Sequence, residues 1–212
     1  WADFQMGLRL GRIDAKVLTG VATLPDDRFK TGELFTSFTV DRFDDFNFPR
    51  NGVYTGVNWT AARKQLGSTD DFDQLSGFFN GAYQIGSGSV LVGAEFGSTV
   101  AGESAPQNRF PLGGFMRLSG YSQDQLTGQQ FLLMRSAYLH RIDQFDLFPL
   151  YVGGSLEAGN VWEDRNDIDA GDLIGSGSLF FGLDTPIGPI YGGYGISESS
   201  RQAIFFFLGR PF

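Results

Sequence analysis

Residues 52–62 read Gly-Val-Tyr-Thr-Gly-Val-Asn-Trp-Thr-Ala-Ala, and their alternation decides the fold class. In an extended chain successive side chains point to opposite faces, so Val53, Val57, Trp59 and Ala61 share one side. Tyr54, Gly56, Asn58 and Thr60 share the other. The pattern recurs downstream. Leu75, Phe79, Tyr83 and Ile85 oppose Gln74, Ser76, Asn80 and Gln84, and Val90, Val92, Ala94 and Phe96 oppose Gly93, Glu95, Gly97 and Thr99. An apolar face backed by a small or polar one is what a strand needs with lipid on one side and a lumen on the other.

Composition points the same way. The 212 residues include 30 Gly and 22 Phe, yet only 42% are hydrophobic. The aromatics exclude a disordered chain. The longest apolar run, Ala203 to Leu208, is far below the roughly 20 residues of a membrane-spanning helix. A formal charge of −8 without a basic stripe argues against nucleic acid as a partner. With no Cys, disulfides and Cys-based metal sites are excluded. A soluble β-sandwich would carry more Val and Ile in shorter strands, and a β-solenoid would show a fixed period, which is not found.

The expected fold is therefore an all-β, transmembrane antiparallel β-barrel. It has about 11 strands, near 2–10, 13–24, 32–43, 52–62, 72–85, 88–100, 130–142, 149–162, 172–184, 190–197 and 202–212. Tight turns at Gly86-Ser87-Gly88 and Pro186-Ile187-Gly188-Pro189 alternate with longer acidic connections such as Gly67 to Asp71 and Glu163 to Gly171. Such asymmetry between the two ends is that of outer-membrane barrels. Trp1 already lies within a strand-like pattern and the first residues do not read as a secretory leader, so the chain is expected to begin mid-protein or to be processed or trimmed, residues 1–212 being the C-terminal part of a larger barrel. The unpaired edges of such a part need further strands, a partner edge, or both, because unpaired backbone in lipid is costly. The aromatic end, with Phe206, Leu208 and Phe212, resembles the signal read by barrel-assembly machinery through strand pairing.

One connection is too long for a routine loop. Residues 101–129 carry Phe110-Pro111-Leu112-Gly113-Gly114-Phe115-Met116-Arg117-Leu118-Ser119-Gly120-Tyr121, and a loop of this length is usually functional. Glycines 113, 114 and 120 permit close-packed backbone, and the planar guanidinium of Arg117 suits a lumen carboxylate. The Gly-Gly-Phe-x-x-x-x-Gly-Tyr stretch resembles the signature loop of the bacterial surface antigen superfamily, which includes barrel-assembly insertases and two-partner secretion transporters. Val40-Asp41-Arg42-Phe43-Asp44-Asp45, followed by Phe48-Pro49-Arg50-Asn51-Gly52, resembles that superfamily's D-x-x-x-F-P-x-x-G strand end. Leu156-Glu157-Ala158-Gly159-Asn160-Val161-Trp162 resembles the strand that gives the loop an acidic partner. Ser119 stands where most of the superfamily has Arg. That departure, with Gly182-Leu183-Asp184-Thr185-Pro186-Ile187-Gly188-Pro189 and Gly192-Gly193-Tyr194-Gly195, is similar to the patatin-like phospholipase autotransporters of type V d secretion.

The resemblance implies about sixteen strands in the full barrel, a loop folded into it, and an outer-membrane location. It implies locking of the loop by Arg117 and Glu157, with Gly113, Gly114, Gly120 and Tyr121. It also implies an N-terminal lipase passenger in cis, lipid and the assembly machinery as partners, and a possible homo-oligomer. An insertase or a two-partner secretion pore is the alternative. No catalytic, cofactor or metal role is expected for the chain itself. Gly86-Ser87-Gly88-Ser89 and Gly175-Ser176-Gly177-Ser178 miss the nucleophile-elbow spacing, and the single His140 cannot make an ordinary zinc site. The acidic residues Asp70, Asp71 and Asp73 read as a solvated loop.

Overall fold

The computed structural model describes residues 1–14, 28–45, 47–142 and 148–209. In chain order the strands are β1 (Ala2–Asp14), β2 (Arg28–Asp41), β3 (Gly52–Ala62), β4 (Phe72–Ile85) and β5 (Gly88–Gly102). The short β6 (Phe110–Leu112) and β7 (Leu126–Gly128) follow, then β8 (Gln130–Ile142), β9 (Leu150–Trp162), β10 (Ile174–Thr185), β11 (Gly188–Ser197) and β12 (Gln202–Leu208). The ten longer strands form one antiparallel meander in the order β1-β2-β3-β4-β5-β8-β9-β10-β11-β12. β6 and β7 pair only with each other, inside the long connection. β1 and β12 are the edges of the sheet, and no pairing joins them among the described residues.

The alternation read at 52–62 sets the register. Ser37, Asn58, Ser76, Gly97 and Phe131 lie opposite one another across five strands on the inner face. Val92, Ser136, Leu156, Gly177 and Ile196 form a comparable row on the outer face. A one-residue slip would exchange these faces, so the apolar pattern specifies the register strongly. Val57, Trp59, Phe79, Tyr83, Val92 and Phe96 are exposed, whereas the inner Asn80 and Thr99 are buried. An exposed apolar band around an inner wall that also buries polar side chains matches a lipid-facing barrel. Leu156, 71% exposed, sits in the middle of this band. Leu156→Arg is therefore expected to destabilise the protein by about 2–4 kcal/mol in detergent or lipid. Urea unfolding that finds the change neutral, as on a water-facing surface, would contradict a lipid face.

One expectation is corrected. A separate strand over 13–24 is not inserted between the first two hairpin strands, because β1 and β2 pair directly with Asp14 opposite Arg28. Alternation alone could not distinguish a continued strand from a new one. Residues 15–24 of that span lie outside the described residues. Phe206 and Leu208 project from the exposed face of β12, and Phe212 lies outside the described residues.

The two ends of the sheet differ. Residues 86–87 and 186–187 close two-residue turns at one end, while the connection between β5 and β8 leaves from the other. At the short-turn end, the connection 42–51 is shaped by its own aspartates. Asp44 Oδ1 accepts the N–H groups of Arg50 (2.8 Å) and Asn51 (2.9 Å), and Asp45 Oδ1 accepts those of Asn47 and Phe48 (both 2.8 Å). Burial raises the Asp44 pKa, but the hydrogen bonds from Asn51 and Arg50 together outweigh it and hold the carboxyl below its ordinary range. This contribution to stability is present above the ordinary carboxylate pKa and is lost as pH falls through the lowered one.

Candidate functional site

The long connection folds back against the inner face. Its tip, residues 113–121, begins at Gly113 and Gly114, whose φ angles of 125° and 106° are in the left-handed region, and Arg117 N–H closes a turn on the Gly114 carbonyl (2.9 Å). Met116 (φ 56°) and Leu118 (φ 74°) also have positive φ, a conformation costing each of these residues on the order of 1–3 kcal/mol. Burial offsets this. Leu118 is fully buried with Leu112, Tyr121, Phe131 and Leu133, and Phe115 and Met116 join a second cluster with Leu139, Phe180 and Tyr191.

The tip ends against β9, β10 and β11. Ser119 donates its N–H to Glu157 Oε2 (2.7 Å) and its hydroxyl to Glu157 Oε1 (2.9 Å), while accepting the Met116 N–H (3.0 Å). Glu157, only 4% exposed, also accepts from the Ser155 hydroxyl, which contacts Ser178 Oγ at 2.6 Å. Gly120 N–H donates to Ser176 Oγ (2.9 Å), and that hydroxyl passes a hydrogen bond to the Ile196 carbonyl (3.0 Å). A Cβ on Gly120 would stand 2.7 Å from the Ile196 carbonyl carbon, and one on Gly195 would overlap the Ser119 carbonyl. Backbone therefore touches backbone where the tip meets β11. Tyr121 completes the dock, with its hydroxyl 3.2 Å from Ser199 Oγ and its ring 5.1 Å from the Arg201 guanidinium carbon.

The expected Arg117–Glu157 pair is not formed. Arg117 Nη2 lies 3.2 Å from Glu95 Oε2 and also donates to the Pro111 carbonyl (3.3 Å). The physical reason is the turn at the tip: Ser119, two residues on, occupies the space beside Glu157 and satisfies both of its oxygens. Glu95 Oε1 is taken by Arg135 (2.9 Å), whose second nitrogen reaches Asn80 Oδ1 (2.7 Å) and which also donates to the Met116 carbonyl (3.3 Å). Arg117, Arg135, Glu95 and Glu157 sum to zero formal charge, so the charges brought together at the dock balance one another.

Sequence reading placed Asn80 and Glu95 on the lumen face but gave them no role in docking, and it gave none to Ser155, Arg135, Ser176 or Ser178. Period-2 spacing would have put all of them on the inner wall. Which strands lie opposite the loop depends on how the sheet curls, which spacing does not carry. The remaining candidates are placed elsewhere. His140 lies at the short-turn end, with its Nδ1 3.3 Å from Ser87 Oγ. Asp73 accepts from Arg63 (2.6 Å) and Asp71 from the Lys64 N–H (2.6 Å), so these carboxylates tie down their own loop.

Ser119→Ala removes the hydroxyl that serves both Glu157 and Met116 N–H. It is expected to loosen the dock by about 1–3 kcal/mol, read as faster proteolysis within 113–125 of a barrel that still shows heat-modifiable migration.

The fold and site together define a β-barrel of the lipid-embedded kind, with a surface loop folded inward and pinned to its wall. Neither a protein family model nor a curated protein matches the chain. Among solved structures the chain is similar to BamA from Haemophilus ducreyi lacking POTRA domains 1–3. The TM-score is 0.68 at 13% identity, over 90% of this chain and 44% of that one. The likeness shows a BamA-like β-barrel fold, of which this chain spans less than half the relative's length.

Proposed function

We propose that the chain is the non-catalytic membrane barrel of an outer-membrane transporter of the surface antigen type, which displays or secretes an N-terminal patatin-like passenger. The observation that carries the reading is the inward loop whose Ser119-Gly120 tip is held by Glu157 and Ser176. A transporter must keep its lumen sealed until cargo engages it, and a neutral, hydrogen-bonded tip does that without blocking the path permanently. The arrangement also accounts for Ser119: a short hydroxyl suffices where the carboxylate comes this close. In this reading lipid surrounds the exposed apolar band, and the barrel-assembly machinery recognises the last strand.

A second reading is a factor that helps other barrels insert, which the fold likeness to BamA favours. Outer-membrane fractionation, with and without Ser119→Ala and Glu157→Gln, tests the common ground. Recovery in a soluble fraction would overturn both readings. The two are separated by reconstitution of the full chain. Exposure of an attached passenger outside vesicles, reduced at least severalfold in the loop variants, supports the transporter. Faster folding of added client barrels with no passenger exposure replaces it with the insertase.

A further inference from the structure

The connection 42–51 sits at the opposite end of the barrel from the loop, yet it too crosses to the far strands. Phe48, 3% exposed, stacks on Tyr151 of β9 with ring centroids 4.0 Å apart and planes at 5°, and packs on Tyr191 of β11 at 5.4 Å. Asn47 Nδ2 donates to Asp184 Oδ1 of β10 (3.0 Å), and the Tyr191 hydroxyl donates to the Asn47 carbonyl (3.4 Å). These contacts join residues well over one hundred positions apart, between strands that are not neighbours in the sheet. The aspartate-capped hydrogen bonds within the connection make it a stiff wedge rather than a slack strand link.

The wedge and the loop share one aromatic residue. Tyr191, with 0% exposure, packs on Phe48 at 5.4 Å and on Phe115 of the loop tip at 5.3 Å. We propose that Asn47 and Phe48, with the capping Asp44 and Asp45, form a second plug, closing the lumen from the short-turn end and coupled to the surface loop through Tyr191. The proposal rests on the reading of the loop as a movable seal. Packed aromatic clusters are bistable rather than continuously deformable. Withdrawal of Phe48 removes one of the rings packed on Tyr191, and Tyr191 is one of the rings that hold Phe115, beside Phe205 at 4.3 Å and Phe180 at 5.1 Å. A polypeptide arriving at the short-turn end would meet this wedge first, and its displacement of Phe48 would loosen a loop at the opposite surface.

The test uses the full chain in lipid vesicles, with loop opening read as the rate of proteolysis within 113–125. Phe48→Ala is expected to raise that rate about tenfold, inside the usual range of coupling between sites. Because the chain contains no Cys, Asn47→Cys with Asp184→Cys gives a clean pair for a short thiol crosslinker. The crosslinked form is expected to slow cleavage severalfold relative to its uncrosslinked control. This second variant keeps the test decisive should Phe48→Ala fold poorly. Gly195→Val, which acts on the loop alone, reports on the parent reading. If Gly195→Val opens the loop while neither Phe48→Ala nor the crosslink changes its rate, the coupling is overturned. If Gly195→Val itself leaves cleavage unchanged, the loop reading falls instead.

Discussion

Gly195→Val is expected to expel the loop tip from the lumen while leaving the sheet intact. Gly195 lies in β11 between two paired strands, opposite Ser178 of β10 and Ala203 of β12, so its backbone cannot retreat. The space a Cβ would need is occupied by the Ser119 carbonyl, and even the Ser119 Cβ lies 2.6 Å from that position. The tip cannot adjust either, since Met116 and Leu118 already hold positive φ to reach the wall. Overpacking of this kind costs about 1–3 kcal/mol or more, and the bonds from Ser119 to Glu157 and from Gly120 to Ser176 are lost with it. The atoms nearest the new Cβ all belong to Ser119 of the loop, so heat-modifiable migration is expected to persist while 113–125 becomes fully protease-sensitive. Gly11→Ala is a matched control on the inner face, because its Cβ would meet nothing closer than 3.8 Å. A Gly195→Val protein with wild-type loop protection would refute the docked geometry.

Glu95→Ala is expected to be the most destabilising single charge removal in the barrel, by about 3–5 kcal/mol. Its two oxygens serve two different guanidinium groups, Arg117 at 3.2 Å and Arg135 at 2.9 Å. The Arg135 side chain is 6% exposed, so water cannot replace the lost carboxylate there. Both cations are then left facing each other across the vacated space. Arg117→Ala should be milder, since its side chain is 29% exposed and its partners besides Glu95 are neutral, the Pro111 carbonyl and the Phe131 ring. Replacing the buried pair together, with Glu95→Leu and Arg135→Met, should recover much of the loss, because an apolar pair avoids the desolvation of charge. Urea midpoints in detergent micelles decide this. Equal losses for Glu95→Ala and Arg117→Ala would show that Glu95 is not the shared anion.

The two sites show different limits of sequence reasoning. Glu157 was legible because its strand resembles one that supplies an acidic partner, and the tip does meet it. The partner residue was not legible: Arg117 is the obvious cation, yet the turn at Gly114 aims it at β5 and leaves the Ser119 hydroxyl and N–H for Glu157. Side-chain direction within a turn of positive-φ residues follows no period that the sequence displays. Phe48 illustrates a second limit. It lies in a recognisable motif, but a contact to Tyr151 and Tyr191 arises only when the sheet curls enough to bring the β2–β3 connection across from β9 and β11.

The amino-acid sequence by itself determined that the strands are long, antiparallel and two-faced, with lipid on the side of Val57, Trp59 and Phe79. Period-2 alternation follows from the geometry of a single extended chain, so each strand carries it independently. The sequence also marked 101–129 as too long for a routine connection between strands. Only the tertiary structure decided that Ser119, rather than Arg117, engages Glu157, that Glu95 neutralises two arginines, and that a wedge at 42–51 meets the loop over Tyr191. Those contacts depend on the curvature of the whole sheet, a property of ten strands together that no local pattern encodes.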